Sequence, residues 1–483
     1  MPMLTAQKQQ DLQFVLSKIR QYLPRLIEFL DDDRKLKDYS RDLYDYQAPE
    51  IHLQRQKPCL DFINQKTKRL FPDKQIEFNT KNGIIANVVD HHNILNHPLL
   101  TSGIIISNIY QFNDSQQKKD NILVLSCGSV PFSNNFHKRG FSFNNITFPF
   151  VKGKDTDRVI HFFPSKKLEF LPLAQERGML NELNAEQMKF LKDYQQTILD
   201  VNADKYSNFL DQMSVLNHKL FPLLFEKSLR NKLPELVYIE TEEMAAHVLK
   251  QVIKEKNNFI HDALFNPKFR HDVLNGFEGI WGAWDKQQNL GSHFFFLEDG
   301  KGGEVALEYM DGYLVSKSKK LDVKIKLDPE TILDLLKKNK IRPSIFLFYG
   351  ITLFYCGIKP LTGLGSMNYL SDMQSAWIKV LSEYDSKEAE MVKNMNMRGL
   401  IVSPNVLYAR NADNQIIEQF FADVVYSGGL NQDYLNHLAE MKFNHLLKTS
   451  LIGNYEIKTP QAEKKELNLT VNDLVSEGFG WIK

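Results

Sequence analysis

Three of the thirteen histidines in this chain fall within seven residues, in the segment Asp90-His91-His92-Asn93-Ile94-Leu95-Asn96-His97-Pro98. Imidazole has an ordinary pKa of about 6.5, so histidines grouped at the end of a strand point to acid–base or ligand chemistry. The preceding run, Gly83-Ile84-Ile85-Ala86-Asn87-Val88-Val89, has the continuous apolar character of a buried strand. A helical zinc site needs two imidazoles one turn apart and a third ligand. His91 and His97 are six positions apart, and the next helix begins only at Pro98. The segment therefore reads as a strand-end loop in which Asp90, His91, His92 and His97 meet a polar ligand. One imidazole serves as general base or acid, and no metal site is assigned.

Two later loops have the same strand-end character. Leu125-Ser126-Cys127-Gly128-Ser129-Val130-Pro131-Phe132-Ser133-Asn134 dissolves an apolar run into small hydroxyl residues and leads to Lys138 and Arg139. Ser126, Ser129 and Asn134 are candidate ligand contacts, and Arg139 suits a carboxylate or phosphate. Leu361-Thr362-Gly363-Leu364-Gly365-Ser366-Met367-Asn368-Tyr369 stands before a helical pattern of Leu370, Met373, Trp377 and Val380. Gly363, Gly365 and Ser366 thus open a helix whose N-terminal amides suit an anion. A third glycine and a downstream acid are not in place for a dinucleotide fingerprint, and there is no phosphate loop or nucleophile elbow. The cofactor is left unassigned.

These loops must be positioned by a scaffold, and the apolar patterning divides the chain. Residues 1–50 carry an amphipathic helical pattern (Leu12, Val15, Leu16, Ile19, Leu23, Leu26) that splits at Pro24. Residues 51–175 form the first part of a core. There, short apolar runs at 83–89, 103–109, 121–130, 145–150 and 158–163 read as βα units of a mainly parallel sheet. Residues 176–280 return to helical spacing and read as a helical insertion. Residues 281–380 form the second part of the core with the glycine loop; they include a hairpin over 293–307 and a helix capped by Asp328 with Pro329 at its first position. Residues 381–483 are mixed. The fold class is α/β with inserted helical subdomains.

The charge balance, 60 Lys plus Arg against 59 Asp plus Glu, lacks the basic excess of a nucleic-acid binder. No apolar run approaches the roughly 18 residues of a spanning helix, and the N-terminus lacks a signal-peptide pattern. Cys59, Cys127 and Cys356 share no metal or disulfide spacing, which predicts reduced thiols and a cytoplasmic chain without membrane partners.

In order, the three loops resemble the bacillithiol synthase family, the cysteine-adding enzymes that complete bacillithiol. Leu95, Pro98 and Leu99 match that family's Gln-Gln-x-Gly-Leu-x-x-Gly-Pro-Leu loop, and Asp90 to Asn96 otherwise replace its residues. Arg342 and Pro343 match its Leu-Arg-Pro segment. Gly363, Gly365 and Tyr369 match its Gly-Gly-Pro-Gly-Glu-x-x-Tyr loop, with Ser366 where the family has Glu. The likeness spans roughly residues 75 to 380 in layout. It implies a Rossmann-like core, a helical arm that dimerises, and Arg342 and Tyr369 at the substrate. The expected function is a small-molecule enzyme, ligase- or transferase-like, condensing an amine or amino acid with a polar carbonyl or sugar-acid substrate. A noncatalytic binding or assembly protein on the same scaffold is the alternative, and a metal-dependent hydrolase comes third.

Overall fold

The structure is a computed structural model that describes residues 4–78, 81–112, 120–134, 139–318 and 321–482. Ten strands make its two larger sheets. They are β1 (Ile85–Asn87), β2 (Ile122–Ser126), β3 (Leu236–Glu240), β4 (Phe295–Glu298), β5 (Glu304–Met310), β6 (Tyr313–Ser316), β7 (Lys324–Lys326), β8 (Ile341–Pro343), β9 (Lys359–Gly363) and β10 (Gly399–Val402). The helices used below are α1 (Ala6–Tyr22), α2 (Glu50–Leu70), α3 (Pro98–Phe112), α4 (Phe209–Leu220), α5 (Thr241–Val252) and α6 (Leu364–Leu381).

The first sheet is parallel throughout, in the spatial order β10-β9-β1-β2-β3. Its strands are buried on both faces and mostly apolar, with Asn87, Ser126, Glu240, Lys359 and Thr362 the buried polar exceptions among the described residues. In β2 and β3, Ile122, Val124, Leu236 and Tyr238 enter one core, while Leu123, Leu125, Val237 and Ile239 enter the other. That alternation is the two-residue period of a strand, and it lets one short run serve two layers. Helices α3 and α4 contribute to the first core, and α2 and α5 to the second. From the central β1 the chain runs outward through β2 and β3, then crosses back to β9 and β10 on the other side. The winding reverses between β1 and β9, and in open parallel sheets ligands bind outside the carboxyl ends of the strands at such a reversal.

The second sheet is antiparallel, in the order β7-β6-β5-β4-β8. It fills much of the stretch expected to continue the parallel core, of which only β9 joins the first sheet. Its edge strand β8 carries Arg342 opposite Phe296 of β4.

Four expectations about elements change. Ile146–Pro149 pairs antiparallel with Gly140–Phe143 in a separate two-stranded sheet instead of joining the parallel core. Gly103 to Ile109 is helical within α3, not a strand, even though its isoleucines favour strands. Leu236 to Glu240, inside the stretch read as a helical insertion, is strand β3 of the parallel sheet. Arg158 to Phe163 forms tight turns rather than a strand. Other signals were legible. The N-terminal pattern splits at Pro24 into α1 and a helix over Pro24–Leu30, and the Asp328 carboxylate accepts from Thr331 N at 3.0 Å as an N-cap. Among the described residues, no helix is long and apolar enough to cross a membrane.

Candidate functional site

The carboxyl ends of β1, β2 and β3 bring together the first two loops found in the sequence. His91 forms a parallel bridge with Cys127, Cys127 N donates to the Asp90 carbonyl at 2.9 Å, and His92 N donates to the Cys127 carbonyl at 2.9 Å. The loops after β1 and β2 therefore continue the sheet pairing past the strands.

The three histidines of the first loop part company. His92 is fully buried; its Nδ1 lies 2.9 Å from Ser126 Oγ, and its Nε2 lies 2.9 Å from both the Leu210 carbonyl and Ser214 Oγ. Only a neutral ring with the proton on Nε2 donates to Leu210 while accepting from Ser126. Burial pulls its pKa down to about 3. His92 is thus a core group that ties the loop and Ser126 to α4, with both side chains buried and engaged in these bonds. His97 packs edge-on to Phe420 at 6.1 Å and accepts from Leu99 N, which makes it part of the start of α3. His91 is half-buried beside Cys127. Burial lowers its pKa to about 4, against the opposing pull of Glu242. Asp90 is buried and accepts from Tyr238 OH and from His91 N, with burial raising its carboxyl to about 7.

The amides expected to hold an anionic ligand already hold one of the chain's own. The Glu242 carboxylate, fully buried in the first turn of α5, accepts from Gly128 N at 3.2 Å, Ser129 N at 3.0 Å, Ser129 Oγ and the Cys127 thiol at 3.2 Å. Arg342 approaches it to 3.9 Å, donates to Ser129 Oγ, pairs with Glu304 and lies 4.7 Å over the Phe296 ring. Burial opposes ionisation of Glu242, but Arg342 and Ser129 outweigh it and hold its pKa below the usual range. Beside it, Glu240 accepts from His161 Nδ1, and burial raises its pKa despite that partner. Burial, reinforced by Glu242, also pushes the Cys127 thiol well up, so Cys127 stays protonated rather than becoming a nucleophile.

Two phenols extend the cluster toward β9. Tyr349 OH donates to the Val88 carbonyl at 3.0 Å, and Tyr369 OH donates to Tyr349 OH at 3.4 Å. Burial raises both phenol pKa values, which keeps them as neutral donors. Ser366 sits beside Tyr369 on the first turns of α6, and Gly363 caps that helix. A Cβ on Gly363 would stand 3.2 Å from Val402 Cβ and 3.4 Å from Val89, so glycine there permits close packing. Gly365 faces open space. Arg139 is exposed, with its backbone in the left-handed region, and Asn134 lies in a turn closed onto Pro131. Lys138 lies outside the described residues.

The structure thus joins His91, Ser129, Arg342, Ser366 and Tyr369 to groups that sequence reasoning missed: Glu240, Glu242, Glu304 and Tyr349. The missed signal was Ile239-Glu240-Thr241-Glu242, an apolar run ending in acids at a strand-to-helix junction. Among the described residues, no group of three His, Cys, Asp or Glu side chains is arranged to hold a metal ion. No protein-family model matches this chain, and neither does any curated protein.

Proposed function

We propose that this chain is a small-molecule enzyme on a Rossmann-like scaffold that joins an amine or amino acid to a polar carbonyl or sugar-acid substrate. The observation that carries the reading is the sign of the charge at the strand ends. Among the described residues, Glu242 and Glu304 share the single Arg342, and Glu240 meets only His161, so the cluster has an acidic surplus that favours an ammonium group over an anion. His91 is neutral at pH 7 and can take the proton that an amine nitrogen sheds as it adds to an aldehyde or ketone carbon; returned to the resulting hydroxyl, that proton lets the C–O bond break with loss of water, leaving the imine. The Tyr369 hydroxyl, kept protonated by burial and held only by a 3.4 Å bond to Tyr349, can turn to donate to the oxygen that gains charge in that addition, while Tyr349 stays bonded to the Val88 carbonyl. The 3-2-1-4-5 type of strand order supports the Rossmann-like description. The resemblance to bacillithiol synthase adds Arg342, Gly363, Gly365 and Tyr369 as shared positions.

The test is condensation of primary amines with sugar acids, read by mass spectrometry. His91→Ala is expected to cut turnover about 10²- to 10⁴-fold with its melting temperature kept. Full turnover in that variant would remove His91 as the base. A second reading, a noncatalytic binding protein, is favoured by one observation: Glu242 occupies the Gly128 and Ser129 amides that a substrate anion would need. Amine binding without turnover on any carbonyl partner would select it.

A further inference from the structure

A cavity of about 300 Å³ opens beside this crevice, lined chiefly by apolar and aromatic groups that include Trp281, Trp284, Leu290, Phe296 and Ile345. Three features mark it as a seat for a ligand rather than a packing fault. Trp281 is 67 % exposed and Leu290 50 % exposed, although large apolar side chains ordinarily seek cover. Trp281 stands between Gly279 and Gly282, whose φ angles of 79° and 88° only glycine adopts without strain. Above all, Ser344 lines the cavity, is 1 % exposed, and its hydroxyl has no hydrogen-bond partner among the described residues. Ser344 even occupies the N-cap of the helical turn that begins at Ile345, yet it makes no capping bond. A buried hydroxyl without a partner costs stability unless something fills the site and pairs with it.

Most of the other polar side chains of the wall are engaged: Trp284 Nε1 donates to the Leu274 carbonyl, and the Asp285 carboxylate accepts from Gln288. Gln288 donates to Asp285 through both its backbone and its side-chain amide at 2.8 Å, and Ser292 Oγ is bonded to β-strand backbone. Ser344 is the one buried hydroxyl of this largely apolar wall that lacks a partner among the described residues, which matches an uncharged ring carrying a polar atom. The cavity also adjoins the acidic crevice. Phe296, in its wall, is the ring beneath the Arg342 guanidinium; Trp281 packs 4.8 Å from Tyr369; and Ser344 follows Arg342 by two residues.

We propose that this cavity seats the uncharged aromatic ring of an arylalkyl amine, with Trp281 against its face and Ser344 Oγ bonded to its polar atom, while its ammonium lies among the crevice carboxylates. The position of the ammonium rests on the amine reading above; the seat of the ring stands on the cavity alone. The test is titration calorimetry with indole, which has the ring but no amine, and with tryptamine, which has both. Indole is expected to bind, and Trp281→Ala and Ser344→Ala are each expected to weaken it about 3- to 10-fold. Melting temperatures measured in parallel should show both variants folded. Tryptamine is expected to bind about tenfold or more tightly than indole, and Glu242→Gln to erase that advantage. If indole does not bind at about 5 mM, or if both variants bind it unchanged, the ring seat is overturned, whatever the amine assays give. If indole binds as expected but tryptamine gains nothing, the ring seat stands and the amine reading falls.

Discussion

At the scale of single residues, His92 shows how packing decides between chemistry and structure for side chains of one type. Its neighbour His91 is half-buried at the crevice, whereas His92 points the opposite way along the extended backbone and is enclosed by Ser126, Leu210 and Ser214. With a folded pKa of about 3 against an unfolded value near 6.5, the unfolded chain takes up a proton below pH 6.5 that the folded ring refuses. Stability from this group is therefore complete above pH 6.5 and is lost as pH falls toward 3, by about 2 kcal/mol between pH 6.5 and 5. Urea unfolding across that range should show the loss, and His92→Gln, which can still accept from Ser126 and donate to Leu210, should reduce it by this share, leaving the part that comes from His52, His91 and His293, whose pKa values burial also lowers to about 4. An NMR titration that places the His92 ring near pH 6.5 would contradict this account.

At the scale of elements, what was legible in the sequence is what depends on local pattern. The strand-end loops after β1, β2 and β9 were visible because apolar runs dissolve into small polar residues at Asp90, Ser126 and Gly363. The split at Pro24 and the Asp328 cap were visible because proline and an N-cap carboxylate act within one turn. Strand β3 was hidden because only four apolar residues, Leu236 to Ile239, lie among helices, where a long periodic window averages them away. The isoleucines of α3 were partly misread because tertiary packing overrode their preference for strands. Glu242 was hidden for a different reason: its amide partners Gly128 and Ser129 lie 114 and 113 residues away, so no spacing rule connects them. The β9-to-α6 junction gives a test at this scale. Gly363 has an ordinary φ of −93°, so Gly363→Ala introduces no backbone strain; its methyl must instead fit 3.2 Å from Val402 Cβ and 3.3 Å from that residue's carbonyl. We expect a loss of about 1 to 3 kcal/mol in urea unfolding, as the junction spreads between β1, β9 and β10. An unchanged midpoint would mean that the junction yields freely.

At the scale of the whole molecule, the N-terminal arm closes the chain on itself. The apolar face of α1, whose spacing favours packing on the chain's own domain over the dimer arm that the resemblance implies, puts Val15 and Ile19 into that core at 0 % and 1 % exposure, and Phe14 meets Tyr455 edge-on at 6.0 Å. The arm is also tied by a polar contact. The buried Asp11 carboxylate accepts from Lys465 Nζ at 2.9 Å, Asn468 N at 2.7 Å and Leu469 N at 3.2 Å, which joins the first helix to the last fifty residues. The Lys465 bond, with those amides, holds the Asp11 pKa below the usual carboxylate range, so this tie is intact above pH 3.8 and loosens as pH falls below it. An arm that packs internally and an arm that reaches a second copy respond differently to one substitution. Ile19→Ala should cost about 2 to 5 kcal/mol, because it opens a cavity in the chain's own core. It should leave the mass measured by sedimentation equilibrium unchanged at every concentration. A variant that keeps its unfolding midpoint but loses a concentration-dependent dimer would place the apolar face of α1 between copies instead.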